Sequence, residues 1–493
     1  MKLNQLLPGL EVVQLVGDPG VEINGVQYDS RRIRPGDLFV AVPGLKNDGH
    51  LFVDGAVEAG AAAVVVERMD AAPSGAVVVQ VRDSRTALSR LAAAFYGEPG
   101  RRLRMIGVTG TNGKTTTTHL IEAMLKAAGR PTGLLGTIGG RMGEQSFPVA
   151  HTTPESLDLQ ELLARMLREG AECVVMEVSS HALALKRVAD CEFDVGVFTN
   201  LTQDHLDFHT GMDDYREAKQ LLFSRLGEGE AKTGTKYAVI NRDDPAAEFF
   251  IQASTAPVIT FGINSDAAVS ARDLEITLRG VSFTAVTPGG EIDVQLQISG
   301  RFNVYNALAA VAVGWREGID PAVIRSALAG VEGVPGRFEA VSEGQEFAVV
   351  VDYAHTPDGM ENVLSTARGI TRERLITVFG CGGDRDRTKR PLMGEAAARW
   401  SDYVIVTSDN PRTENPGRII DDILPGVSGM PSERYEVIED RRSAIRRAVG
   451  MARPGDIVVI AGKGHETYQI VGTETFPFDD RKVAREALRE RRE

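Results

Sequence analysis

The sequence predicts an α/β protein of three domains, and three observations carry that prediction. Apolar runs of strand length alternate with helical patterns through most of the 493 residues, as in parallel sheets covered by helices. Two Gly-x-Pro-Gly stretches, Gly97-Glu98-Pro99-Gly100 and Gly333-Val334-Pro335-Gly336, follow helix-like segments. Helix breakers in that position are natural boundaries, and they mark off residues 1–100, 101–335 and 336–493, each of domain size. In the last piece, four apolar strands run into polar loops: VVVDYAHTPD, ITVFGCGGDRD, VIVTSDNPR and IVVIAGKGHE.

Taken in order, the first piece mixes short strands (LFVAV, AAVVV, AVVVQV) with turns and closes on a helix, residues 84–96. The middle piece opens on a strand at 105–109 and a helix from Lys114, then continues with strands at 173–178, 195–199 and 237–241. Its sheet is expected to be mostly parallel. Alternation around Pro288-Gly289-Gly290 adds a hairpin, so a small antiparallel part is expected too. The third piece reads as an open, Rossmann-like sheet, in which ligands bind beyond the carboxyl ends of the strands.

Composition narrows the class. Apolar content of 43% and charged content of 25% suit a soluble globular chain. A net charge of −13 with no basic stripe argues against a nucleic-acid partner. The start, MKLNQLLPGLEVV, lacks a signal peptide's apolar core, and no apolar run is long enough to cross a bilayer. Three cysteines without paired spacing suggest neither disulfides nor a zinc site. A cytoplasmic protein is expected, without membrane insertion.

The sharpest motif is GVTGTNGKTT, residues 107–116, between an apolar strand and a helix. Glycines there let backbone N–H groups close around phosphates, and the helix N-terminus adds favourable partial charge. Gly110, Thr111, Asn112, Gly113, Lys114, Thr115 and Thr116 are therefore expected to hold the phosphates of a nucleotide. Lys114 would reach the β/γ-phosphates and the Thr115 hydroxyl would take Mg²⁺. The spacing departs from the usual loop, with Val108 where a glycine is expected and Gly107 one place earlier. Glu177, at the end of the next apolar strand, can reach a metal at that loop, because parallel strands deliver their ends to one edge. Of eight histidines, six (His151, His181, His205, His209, His355 and His465) lie in or beside strand-end loops.

Other residues stay open at this level. On composition alone Lys219 in YREAK reads as a solvated lysine pairing with a nearby acid, and Asn303 and Asn306 in RFNVYNALAA as a helix cap and a helix-face amide. TSDNPRTENP, residues 407–416, is either turn punctuation or a loop that holds Arg412 toward a ligand. Four polar strand ends in one domain favour the second. They also favour an ATP-consuming enzyme that activates a carboxylate over a P-loop nucleotide switch protein.

With GVTGTNGKTTTTHL, MEVSSHALALKRV, TNLTQDHLDFH, YREAKQLLF and RFNVYNALAA in one order, and DYAHTPDGM, FGCGGDRDRTKRPLM, DNPRTENP and AGKGHETYQ after them, the chain resembles the Mur ligase family throughout. The resemblance implies an N-terminal uridine-nucleotide-binding domain, a central P-loop ATPase domain and a C-terminal amino-acid-binding domain. It implies an ATP-dependent amide ligase that works through an acyl phosphate, acting as a monomer. Lys114, Glu177, His205 and Lys219 would be catalytic. Thr115, Glu177, His205 and a carbamylated Lys219 would hold Mg²⁺. Asn303, Arg337 and Asp352 would complete the ATP site. Ser30, Lys46 and Asn47 would hold the uridine end, and Thr152, Thr153, Ser179 and Arg187 the muramoyl-dipeptide path, with Leu185 standing where relatives carry glutamine.

In that family the string DNPR marks enzymes that take meso-diaminopimelate, so the resemblance implies it as the incoming amine and UDP-N-acetylmuramoyl-L-alanyl-D-glutamate as its partner, with Arg385, Asp409, Asn410, Pro411, Arg412, Gly462 and Glu466 around the amine. Diaminopimelate carries a second amino-acid head, whose carboxylate a guanidinium can hold with two parallel hydrogen bonds. An L-lysine-adding ligase and a folylpolyglutamate synthase-like ligase are the alternatives within the superfamily; the segment YDSRRIRPGDLFVA argues against the latter.

Overall fold

The computed structural model describes residues 1–44, 47–71, 73, 75–149, 151–227, 232 and 234–491. Among these, three large sheets follow one another along the chain, and a two-stranded sheet comes last. The first has five strands in the order Val12–Val16, Val77–Val81, Ala63–Val66, Asp37–Val40 and Gly25–Gln27, and only the edge strand Val12–Val16 runs antiparallel. Ala63–Val66 and Asp37–Val40 are buried on both faces, which is why residues 63–66 and 38–40 read as unbroken apolar runs. The helix Ser84–Phe95 covers one face, and Asp83 caps it by accepting from the Arg85 and Thr86 amides.

The central sheet has eleven strands. Its core is parallel, with Arg104–Thr109 between Cys173–Glu177 and Val195–Phe198. Apolar clusters fill both faces. The helix Arg301–Arg316 is buried without a break from Asn306 to Gly314, so over that stretch it is buried all round rather than striped. The expected hairpin is there, Gly280–Thr287 pairing with Gly290–Leu296. A second antiparallel extension, Gly139–Met142 with Gln145–Phe147, closes the other edge; Gly139-Gly140 and Gly143 gave these short strands the composition of a loop.

The third sheet orders its parallel strands Ala348–Asp352, Ile457–Ala461, Leu375–Phe379, Tyr403–Val406 and Tyr435–Val437, with the antiparallel Glu339–Ala340 at one edge. The strand that comes late in the chain, Ile457–Ala461, thus lies between two early ones. Its placement brings the loop from Gly462 beside those that follow Asp352 and Phe379. Behind these loops the wholly buried Arg441 pairs with Asp480 at 2.7 Å and donates to the Ala461 carbonyl at 2.9 Å. No helix among the described residues is long and apolar enough to cross a membrane.

Candidate active site

The phosphate loop forms as its glycines require. Gly110 and Gly113 have φ of +149° and +85°, and a Cβ on either would collide with Thr199 or Asn306. The loop is tethered to the next strand end: the Thr111 amide donates to the Asn200 carbonyl, and the Asn112 amide to Asn200 Oδ1 at 2.8 Å. Lys114 Nζ donates to the Gly110 and Thr111 carbonyls at 2.9 and 2.7 Å. Burial holds its pKa below the usual lysine value, against the pull of Glu177.

Lys219, on the helix Met212–Ser224, donates to the same Gly110 carbonyl at 2.9 Å and lies 4.3 Å from the centre of the Tyr215 ring. It is 1% exposed and has no acid partner within salt-bridge distance among the described residues. Burial first, and the Lys114 charge second, push its pKa well below 10.5, toward a neutral amine. A solvated surface lysine is not what the fold builds here.

Glu177 accepts from the Thr137 amide at 2.8 Å and from the Thr137 hydroxyl at 3.0 Å; that hydroxyl lies 3.0 Å from the Thr152 hydroxyl. Thr153 donates to the Glu177 carbonyl, and its carbonyl accepts from Arg187 at 3.2 Å. Ser179 caps the helix Ser180–Ala184 by accepting from the Ala182 amide at 3.2 Å, and its own amide donates to Thr153 Oγ1. His205 adopts a left-handed backbone, φ +57°, and its ring is held neutral by burial, which outweighs the neighbouring Asp204. No group of three His, Cys, Asp or Glu side chains converges on one point among the described residues. The Thr115 hydroxyl and the Glu177 carboxylate beside a phosphate loop nevertheless suit Mg²⁺, a hard cation commonly held by one or two carboxylates, waters and substrate phosphates, whereas the His205 imidazole is not a donor it favours.

Two cavities flank this centre, both between the second and third sheets. One, of about 370 Å³, is lined by Asn112, Gly113 and Thr116, by Asn306, and by Arg337, Asp352 and Asp358 from the C-terminal side. Arg337 Nη2 donates to Thr115 Oγ1 at 3.0 Å and Asn112 Nδ2 to Asp358 Oδ2 at 2.7 Å, so two hydrogen bonds already cross the cleft. Asp352 accepts from the Phe338 and Ala354 amides. Asn303 is fully buried and does not line the cavity; its Oδ1 accepts from Asn306 Nδ2 at 2.9 Å, which orients the asparagine that does.

The second cavity, about 260 Å³, joins Thr152, Asp204 and His205 to Arg385, Asp409, Asn410, Arg412, Gly462 and Glu466. Arg412, at φ +51°, donates its amide to the Ile470 carbonyl and accepts from the Gly472 amide, so the hairpin of Tyr468–Val471 and Glu474–Pro477 clamps it. Its Nη1 donates to the Gly383 carbonyl at 2.7 Å, and its Nε–Nη2 edge has no partner among the described residues. Strained backbone at His205 and Arg412 fits a site where conformation serves binding. His355 and Lys389 also line this cavity; burial lowers the His355 pKa to about 4. Lys389 lies within the quoted GDRDRTKR string, but spacing alone did not mark it.

Toward the first sheet, Ser30 opens the turn Ser30–Arg32, beside Tyr28, whose hydroxyl donates to Asp158 at 2.6 Å. Arg187 pairs with Glu155 at 2.8 Å. Asn47 is exposed, and Lys46 lies outside the described residues.

The chain belongs to the Mur ligase family. Its residues 22–96 match the model described as Mur ligase family, catalytic domain, residues 108–314 the Mur ligase middle domain, and residues 336–464 the Mur ligase, glutamate ligase domain. It is 53% identical over 489 residues to a UDP-N-acetylmuramoyl-L-alanyl-D-glutamate–2,6-diaminopimelate ligase of Syntrophomonas wolfei subsp. wolfei, covering 99% of each chain. The enzyme of that name from Geobacillus thermodenitrificans is 51% identical over the full length of both. A solved structure of a ligase of that name superposes with a TM-score of 0.71 at 33% identity, covering 100% of this chain and 99% of the other. Folylpolyglutamate synthase of Mycobacterium tuberculosis, at 21% identity and TM-score 0.63 over 75% of this chain and 90% of its own, shares the fold.

Proposed function

We propose that the chain is the ATP-dependent ligase that adds meso-2,6-diaminopimelate to the D-glutamate γ-carboxyl of UDP-N-acetylmuramoyl-L-alanyl-D-glutamate. It would act in the cytoplasm as a monomer, on the route to peptidoglycan and hence to cell shape and division. Full-length identity of 53% to a ligase named for that reaction carries this reading. Arg412 and Arg385 on the second cavity favour diaminopimelate over lysine as acceptor.

In this reading the first cavity takes the nucleotide, and Gly110 to Thr116, with Asn306 and Arg337, direct its phosphates toward Thr115 and Glu177. The D-glutamate carboxylate arrives past Arg187, Thr153 and Thr152. Its oxygen attacks the γ-phosphorus, ADP leaves, and the mixed anhydride forms between the two cavities. Lys114 carries positive charge to the transferring group. The acceptor amine then attacks the acyl carbon, and the tetrahedral centre collapses with loss of phosphate. Thr115, Glu177, His205 and Lys219 as a carbamate would hold Mg²⁺, which neutralises phosphate charge when bound. The buried amine of Lys219, its pKa held well below the usual lysine value, supports that modification, since a neutral amine is the form that adds CO₂. Ser30, Lys46 and Asn47 are assigned to the uridine end, and Asp409, Asn410, Pro411, Gly462 and Glu466 to the acceptor's ammonium and backbone. Domains are placed at 1–100, 101–335 and 336–493.

The test is phosphate release with the UDP-dipeptide, comparing meso-diaminopimelate with L-lysine. Release with diaminopimelate alone is expected; strong release with lysine would keep the ligase and remove Arg412 from acceptor choice.

A further inference from the structure

Lys463 follows the strand Ile457–Ala461 between two glycines, and its side chain is wholly buried. Nζ donates to Asn410 Oδ1 at 3.0 Å and to Glu466 Oε2 at 2.9 Å, and lies 5.5 Å from the centre of the Tyr468 ring. The Ile470 amide donates to the same Asn410 oxygen at 3.0 Å. Two donors that can only donate therefore fix which end of the Asn410 amide is oxygen. Its Nδ2 is left facing Glu466 Oε2, to which it donates at 2.8 Å. Glu466 Oε2 thus takes two hydrogen bonds inside the protein, while Oε1 takes none among the described residues.

We infer that Lys463 is a positioning residue for the amino-acid acceptor: it sets the Asn410 amide and the Glu466 rotamer so that one carboxylate oxygen is left for the acceptor's ammonium. Lys463 does not line the cavity itself; Asn410, Glu466, Arg412 and Arg385 do. A buried ammonium persists only when paired and hydrogen-bonded, and here both partners are acceptor-site residues. The same Asn410 oxygen joins the triad to the 468–471 strand, which also holds the Arg412 amide. The inference rests on the proposed function for what fills the cavity.

The experiment is steady-state kinetics of Lys463→Met and Lys463→Gln, with all three substrates varied in turn and folding followed by thermal melting. Displacing a charged hydrogen-bonding group in a site by an ångström costs up to about 100-fold. Lys463→Met is expected to raise KM for the acceptor about 10- to 100-fold, leaving KM for ATP and for the UDP-dipeptide within about twofold. Lys463→Gln, which keeps a donor without charge, recovers part of that loss. Three results overturn the assignment: an unchanged acceptor KM, an equal rise in all three KM values, or loss of the folded state in both variants. If wild-type protein uses an acceptor other than diaminopimelate, the proposed function fails separately, and the Lys463 assignment is still read from the KM for that acceptor.

Discussion

Replacing Arg412 by alanine removes a guanidinium whose Nη1 is engaged by the Gly383 carbonyl and whose Nε–Nη2 edge is unpaired among the described residues. That edge matches a carboxylate with two parallel bonds. Each charge-assisted hydrogen bond contributes about 1.5–3 kcal/mol, so the pair is worth about 3–6 kcal/mol. At about 1.4 kcal/mol per tenfold, kcat/KM for meso-diaminopimelate should fall about 10²- to 10⁴-fold. Arg412→Lys should recover only part, because an ammonium is a point charge without the planar fork. L-lysine should remain a poor acceptor for Arg412→Ala, since the change supplies nothing that binds it. The assay is acceptor-dependent phosphate release, with the KM for ATP as internal control. A loss under about tenfold, or efficient lysine turnover by the alanine variant, would refute the assignment of Arg412 to the distal carboxylate.

Three further outcomes are expected. Lys219→Met should lower kcat by about 10²–10³-fold, the size seen when one electrostatic contact to a reacting group is lost; CO₂-depleted buffer should slow the wild-type enzyme and bicarbonate restore it, and indifference to CO₂ would count against the carbamate. Asp358→Ala removes the 2.7 Å bond from Asn112 that spans the cleft, and small-angle scattering should report a larger radius of gyration before nucleotide is added; identical profiles would remove Asp358 as a latch. Glu317 accepts from Arg104, Arg130 and Tyr237 at 2.7, 2.7 and 2.9 Å. Burial, the largest influence, raises its pKa, but those arginine hydrogen bonds more than reverse it, so it ends below 4.5. A lowered carboxylate stabilises the fold above that value and loses its contribution as pH falls below it. Glu317→Leu should therefore cost about 3 kcal/mol at neutral pH, and the gap in urea midpoint should narrow in acid.

Strand ends were legible because apolar runs and glycine-rich loops are local signals. The strand Tyr237–Asn241 matched residue for residue, and the phosphate loop lies where strand, glycines and Lys114 placed it. The hairpin at Gly289-Gly290 announced itself by its alternation; the one at Gly143 did not, because strands of three and four residues carry too few side chains to show a period. Lys219 illustrates a different limit. Its helix was readable, but the pocket that buries it is built by Gly110 and Tyr215, and only folding brings the first of these near. Lys389, Asp358 and Lys463 stayed silent for the same reason: each has a partner at least 53 positions away, Asp204, Asn112 and Asn410 in turn. Sheet order was equally out of reach, since nothing local says that Ile457–Ala461 inserts between Ala348–Asp352 and Leu375–Phe379.

That insertion has a consequence for how the protein changes over time. The C-terminal residues that line the second cavity ride on loops beyond the third sheet, while the glycine-rich loop and Lys114 ride on the second. The apolar clusters that hold the third sheet together lie beneath those loops and contain none of Arg385, Asp409, Asn410, Arg412 or Glu466. A new acceptor head could be accommodated by rewriting a few loop positions, with the phosphoryl-transfer apparatus and both cores inherited intact. Lineages diverging in cell-wall composition would then differ first in the loops after Phe379, Val406 and Ala461, and last in the strands that carry them.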